Sequence, residues 1–276
     1  MPELPEVETV RRGLEAAITG QVLRGLQIGS KRLRRAIPRA GLERLVGSSV
    51  HTLERRGKVL LLHFDGSPAQ TMLVHLGMSG YFLMDRASAP WEKHEHVRLQ
   101  FSNQTVSYID PRRFGFVDIC AYRKLHEHPA LARLGPEPLS ADFDGTYLFE
   151  ARRNRKVAIR NLLLDGHVVA GIGNIYANES LFRARIRPTR AAGRLSRADT
   201  HRLVEAIKQV LSQAIKAGGT TLSDGGYRTV EGESGWFQIQ VDVYDRAGED
   251  CYSCAKPIKH IMVGQRSAFY CPGCQK

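Results

Sequence analysis

The chain has 276 residues, 42% of them hydrophobic, at a mean hydropathy of −0.29, which is enough apolar content to bury cores in more than one domain and excludes disordered and fibrous classes. Forty Lys and Arg against 28 Asp and Glu leave a formal charge of +12, an imbalance that a polyanionic partner would reward, nucleic acid first. The surplus is local, since residues 152–197 hold 11 basic and 2 acidic side chains while residues 198–276 balance at 9 and 9.

In chain order, Val7, Val10, Leu14 and Ala17/Ile18 repeat at helical spacing and predict a helix over 2–18 with Pro5 in its first turn. The opening, PELPEVE, is acidic and not a targeting segment, and the apolar run at residues 59–62 is far too short to cross a bilayer, so the chain reads as cytoplasmic. From Val22 to Ile119 come short β-type runs at 59–64, 72–76, 81–84, 97–101, 105–109 and 114–119, separated by turn signals, the pattern of a β-sandwich or barrel. HPALARLGPEPLS reads as the linker out of it. Residues 147–164 then read as helical, with Leu148, Ile159, Leu162 and Leu163 on one side and Arg152, Arg153, Arg155, Lys156 and Arg160 largely on the other. A glycine-rich turn leads to a helix carrying Ile175, Asn178, Phe182 and Ile186; the Gly171–Asn174 turn suits a phosphate, and equally suits two helices packed closely. A third helix has a Ser196/Asp199 capping box, an apolar stripe from Leu203 to Ile215 and a Gly218-Gly219 stop. Residues 218–236, with six glycines, read as a mobile loop, and the tail from Gln238 reads as short strands. The predicted divisions are 1–130, 131–237 and 238–276.

Two constellations carry chemistry. Cys251, Cys254, Cys271 and Cys274 form two CxxC pairs separated by sixteen residues, the spacing of a structural zinc site on a β-hairpin; two disulfides or coincidental thiols are the alternatives. Lys256, Lys259 and Arg266 on that hairpin suit a nucleic-acid groove or are simply solvated, and Cys120 reads as a core residue. At the other end, removal of Met1 would expose the secondary amine of Pro2 before a helix N-terminus. An α-amino group titrates near ~8, and the helix dipole with a nearby cation lowers it, so a neutral nucleophile is available for Schiff-base chemistry, with Glu3 and Glu6 as proton carriers. Ordinary helix capping explains the same acidic residues.

PELPEVETV, RGK at 56–58, HLGMSG at 75–80, DPRRFG at 110–115, GIGNIYANE at 171–179 and the GQRSAFYCPGCQK terminus occur in this order from residue 2 to the last. Together they strongly resemble the bacterial formamidopyrimidine-DNA glycosylases. The resemblance implies an α+β multidomain fold: an N-terminal helix-flanked β-sandwich, a helix-two-turn-helix domain and a C-terminal zinc finger holding one structural Zn2+. It implies a bifunctional glycosylase and AP lyase that removes oxidised purines from duplex DNA through a Schiff base on Pro2, followed by β- and δ-elimination. Glu3 then assists sugar-ring opening with Glu6 as its support, Lys58 binds a phosphate beside the lesion and aids catalysis, and Arg266 and Asn174 clamp flanking phosphates. From the loops at His75–Met78 and Arg112–Phe114, Met78 fills the space of the flipped nucleotide, Arg112 bonds the orphaned cytosine and Phe114 wedges the adjacent step. The loop at 218–236 covers the flipped base. Arg160, where a lysine is frequent, and Gly166, where a larger polar residue is common, depart from the pattern. An endonuclease VIII-type enzyme for oxidised pyrimidines and a non-catalytic damage-binding protein are the alternatives; a monomer is expected.

Overall fold

The computed structural model describes residues 2–86, 90–102, 104–219 and 241–276. They divide into two compact units, residues 2–132 with 217–219 in one and 133–216 with 241–276 in the other.

The first unit opens with α1 (Leu4–Ile18), which has Pro5 in its first turn and Val7, Val10, Leu14 and Ile18 fully buried. Eight strands follow: β1 (Gly25–Ile28), β2 (Val50–Arg56), β3 (Val59–Phe64), β4 (Gln70–His75), β5 (Tyr81–Arg86), β6 (Glu95–Gln100), β7 (Gln104–Ile109) and β8 (Phe116–Ala121), with a short α2 (Arg39–Glu43) between the first two. They form two four-stranded antiparallel sheets, β1-β6-β7-β5 and β2-β3-β4-β8. One core joins the α1 stripe to Leu60, Leu62 and Phe64 of β3 and Val97 and Leu99 of β6, so the helix closes the sandwich and is held by it. The six predicted runs are all strands. Two strands carried too little signal to be named: β1 is four residues long, and β2 is VHTLERR, whose exposed positions are charged or polar. Cys120 lies half-buried on β8, not in the core.

The second unit contains α3 (Gly145–Ala151), α4 (Ile159–Leu163), α5 (Asn174–Arg183), α6 (Arg197–Lys216) and the hairpin β9 (Lys259–Val263) and β10 (Arg266–Tyr270). The single helix expected over 147–164 is instead α3 and α4, because Asn154 takes a left-handed φ of 58° and Ala158 bridges Ala191. The expected basic face is also corrected: Arg160 and Arg152 are buried, at 0% and 9% exposure, since carbonyls distant in sequence receive their guanidinium groups. The α6 capping box is reciprocal, Ser196 N–H donating to Asp199 at 3.0 Å and Asp199 N–H to Ser196 Oγ at 3.1 Å. Gly218 and Gly219, at φ 80° and 93°, end the helix. The expected loop at 218–236 lies, from residue 220 on, outside the described residues, as does the start of the tail. The tail shares a core with α5: Phe182 packs with Val243, Cys251, Ile258, Phe269 and Cys271.

Candidate functional site

At the amino end, Pro2 and Glu3 are buried directly ahead of α1, and the Glu6 carboxylate accepts the Glu3 N–H at 2.8 Å. One turn later Glu8 anchors the helix to β2 by accepting from Arg55 Nε at 3.2 Å, while Arg11 donates to the Leu53 carbonyl at 3.1 Å. Although burial opposes ionisation of Glu8, the guanidinium groups of Arg11, Arg12 and Arg55 hold its carboxyl below the usual range. Arg55 also donates to the Gly57 carbonyl at 3.0 Å, in the β2–β3 turn that carries Lys58. Pro2, Glu3 and Lys58 therefore lie on segments of one unit tied together by charged hydrogen bonds.

The two predicted gap-filling segments are one construction. His75 ends β4 and the β4–β5 loop carries Met78, the β7–β8 loop carries Arg112 and Phe114, and a buried carboxylate locks them together: Asp110, at 0% exposure, accepts from Ser79 Oγ at 2.7 Å and from Gly115 N–H at 2.8 Å. Ser79 Oγ in turn accepts the Arg112 N–H at 3.1 Å. Both glycines at the junction are required by contact: a Cβ on Gly77, at φ 64°, would lie 2.4 Å from Gly115 N, and one on Gly115 would lie 2.0 Å from the Tyr108 hydroxyl. Above this latch Met78 and Phe114 are exposed, at 38% and 47%, and the Arg112 guanidinium sits 5.0 Å from the Phe114 ring. Exposed apolar side chains on a rigid support are suited to entering a base stack.

His75 is held as a neutral donor. Its Nδ1 accepts the Gly77 N–H at 2.9 Å, which puts the ring proton on Nε2. Burial first, and then the charges of Lys58, Arg34 and Arg35, push its pKa down to about 4 against the pull of Asp110. Because the folded value lies below the unfolded one, His75 opposes folding as pH falls from about 6.5 through about 4 and is indifferent above that window. NMR titration is expected to find the Nε2–H tautomer at pH 7 with no midpoint near 6.5; a midpoint there contradicts the assignment.

In the second unit, Asn174 and Arg266 are brought to one place by Arg160. Arg160 donates to the carbonyl of Ser267 at 2.6 Å, to that of Val263 at 3.3 Å and to Asn174 Oδ1. Asn174 Nδ2 donates to the same Ser267 carbonyl at 3.1 Å, next in sequence to the exposed Arg266 that begins β10. Along 171–180 every residue except Asn174 is buried. Its carbonyl oxygen is occupied, so it offers an amide N–H at the start of α5, beside a guanidinium, an arrangement with the chemistry to accept an anion.

The sulfur atoms of Cys251, Cys254, Cys271 and Cys274 all lie within 4.8 Å of one another. The close pairs cross the two turns, Cys254 with Cys271 at 3.3 Å and Cys251 with Cys274 at 3.9 Å. Both are far beyond the ~2.05 Å of a disulfide and near the ~3.8 Å edge of a tetrahedron with ~2.3 Å metal–sulfur bonds. The four residues fit a closed metal site.

A family model described as the formamidopyrimidine-DNA glycosylase N-terminal domain matches residues 1–117, and the H2TH domain of the same family matches residues 134–225. The formamidopyrimidine-DNA glycosylases of Thioalkalivibrio sulfidiphilus and Thiobacillus denitrificans are 48% and 50% identical, each over 100% of both chains. The chain belongs to the formamidopyrimidine-DNA glycosylase family. Among solved structures, the Lactococcus lactis Fpg in complex with DNA containing an abasic site superposes with a TM-score of 0.90 at 32% identity, covering 100% of both chains. A MutM complex with DNA containing carbocyclic 8-oxo-G gives 0.90 at 33%, also over 100% of both. The architecture expected from the resemblance, sandwich, H2TH domain and four-cysteine hairpin, is the one found.

Within this family framework, two buried acids escaped the sequence reading. Asp110 was legible only as part of DPRRFG. Glu179, the last residue of GIGNIYANE, accepts the backbone N–H groups of Asp242, Val243 and Tyr244 at 2.7, 3.0 and 2.8 Å, and so ties α5 to the segment entering the cysteine hairpin. Burial pushes its carboxyl up despite those three donors. Among the described residues no helix is long and apolar enough to cross a membrane.

Proposed function

We propose that this chain is a bifunctional DNA glycosylase and AP lyase of base-excision repair, acting on oxidised purines such as 8-oxoguanine and formamidopyrimidines in duplex DNA. The observation that carries the reading is a proline followed by a glutamate at the buried start of α1, in a chain that belongs to the formamidopyrimidine-DNA glycosylase family. With Met1 removed, the neutral Pro2 nitrogen attacks C1′ of the flipped nucleotide and the glycosidic bond breaks, its electron pair leaving with the base. Glu3 supplies the proton that releases the ring oxygen, and the iminium so formed makes the sugar acidic enough for β- and δ-elimination to cut both flanking phosphodiesters. Lys58 and His75 bind phosphate near the lesion, and Asn174 and Arg266 grip the flanking backbone. Met78, Arg112 and Phe114 enter the vacated stack, with Arg112 donating to the orphaned cytosine. Zinc is the ion that suits four thiolates with no open position; when bound it supplies a structural cross-link only. The protein acts as a cytoplasmic monomer.

Borohydride trapping on 8-oxoguanine duplex, with intact-mass analysis of the product, tests this. The expected adduct lies on the chain lacking Met1, and Glu3→Gln is expected to slow formation of the trapped iminium by about 10²-fold or more. Full-rate nicking by a chain whose amine is blocked contradicts the mechanism, and faster cleavage of oxidised-pyrimidine duplex contradicts the substrate class.

A further inference from the structure

The phosphate clamp does not use most of the basic stretch singled out by the sequence. In the second unit two parts of it pair with each other. Ala158 and Ala191 form an antiparallel bridge, and the N–H groups of Ile159, Ala192 and Gly193 donate to the carbonyls of Arg190, Val157 and Arg155, each at 2.8 Å. The buried Arg152 crosses between the segments to the Gly193 carbonyl at 3.0 Å, and its guanidinium and that of Arg197 lie 3.8 and 4.7 Å from the Phe149 ring. Residue 193 is glycine because the approach is close: a Cβ there would lie 2.9 Å from the Arg155 carbonyl oxygen. The result is a fixed platform, and its segments 152–157 and 190–197 contain seven Lys or Arg and no Asp or Glu. Asp199 neutralises Arg190 at 3.0 Å and Glu150 faces Arg153 at 3.7 Å. Among the described residues Arg155, Lys156, Arg194 and Arg197 are exposed and meet no carboxylate, and of these Arg197 is held over the Phe149 ring.

We infer that this platform is a second binding surface for the sugar-phosphate backbone of duplex DNA, continuous with the clamp formed by Asn174 and Arg266. The inference rests on the reading of the chain as a DNA-repair enzyme. Three things favour DNA as the occupant. The platform leads directly into α4, whose Arg160 organises the clamp. The five residues from Arg155 to Arg160 reach at most about 18 Å, or roughly five base-pair steps at ~3.4 Å each, so the platform lies within the length of a duplex gripped at the clamp. Arg155, Lys156 and Arg194 stand on a backbone fixed by hydrogen bonds, so little ordering is needed for each to displace a counterion.

The test is the triple variant Arg155→Gln, Lys156→Gln, Arg194→Gln, compared with wild type on a long lesion duplex and on one ending about three base pairs from the lesion. On the long duplex the slope of log affinity against log salt is expected to fall by roughly 2 to 3, at about 0.9 for each phosphate no longer neutralised. On the short duplex it is expected not to change, and single-turnover excision at saturating enzyme is expected to match wild type. The variant Arg155→Lys, Arg194→Lys, which retains the charge, keeps the wild-type slope and controls for folding. An unchanged slope on the long duplex overturns the inference and leaves the platform to an acidic protein partner, and an equal fall on both duplexes overturns it as well. If wild type itself fails to nick oxidised DNA, the functional reading fails instead.

Discussion

Stripping the metal from the four-cysteine site is expected to abolish DNA binding while the N-terminal sandwich stays folded. Structural zinc contributes on the order of 10 kcal/mol to small domains of this kind. Here Cys251 and Cys271 belong to the core shared with Phe182 of α5, and the hairpin they fix presents Arg266 and the Ser267 carbonyl to which Arg160 and Asn174 are bonded. Loss of the cross-link therefore disorganises both halves of the phosphate clamp. Among the described residues the sandwich core is built from residues 7–119 and contains no cysteine ligand. Chelation or Cys271→Ser, followed by hydrogen exchange and by fluorescence anisotropy on lesion duplex, should give loss of protection in 241–276 and loss of binding, with β3 and β7 still protected. Binding that survives in metal-free protein would refute the role assigned to the hairpin.

Replacing Arg160 by methionine is expected to cost roughly 2–4 kcal/mol of stability, since a buried acceptor left without its donor costs about 1–3 kcal/mol: Val263 O, Ser267 O and Asn174 Oδ1 each lose one, Ser267 O keeping Asn174 Nδ2 and Asn174 Oδ1 keeping Asn178 Nδ2. Affinity for lesion duplex should fall at least about tenfold, because a clamp displaced by even an ångström loses much of its effect. Arg160→Lys should recover only part, since an ammonium cannot reproduce a planar fork of donors. Thermal unfolding and equilibrium binding report the two effects separately; a methionine variant equal to wild type in both would show that Asn174 and the hairpin are positioned by other groups.

Much of the fold was readable along the chain because it is written in local periodicity. β3 and β7 stand where short β-type runs and turn residues put them, α6 begins at its Ser196/Asp199 box and stops at its two glycines, and the CxxC pairs form a single cluster. The helix expected over 147–164 failed for a reason that periodicity does not encode: pairing with 190–193 competes for the same backbone, and the extended segment won. Strands β1 and β2 were missed because short or charged edges carry weak alternation.

The sequence by itself determined the two ends of the chemistry, the Pro2-Glu3 start and the four cysteines, along with the sandwich, the helices and the excess positive charge, because residue type and spacing carry those features. Only the tertiary structure decided which charges are buried and what they do there. Arg160 reads as one more surface cation until Val263 and Ser267, more than a hundred residues away, supply the carbonyls that let it leave water. Asp110 is only the first letter of the DPRRFG motif until Ser79 and Gly115 close around it. Burying an ionised group requires partners, and the partners come from parts of the chain that only folding brings together.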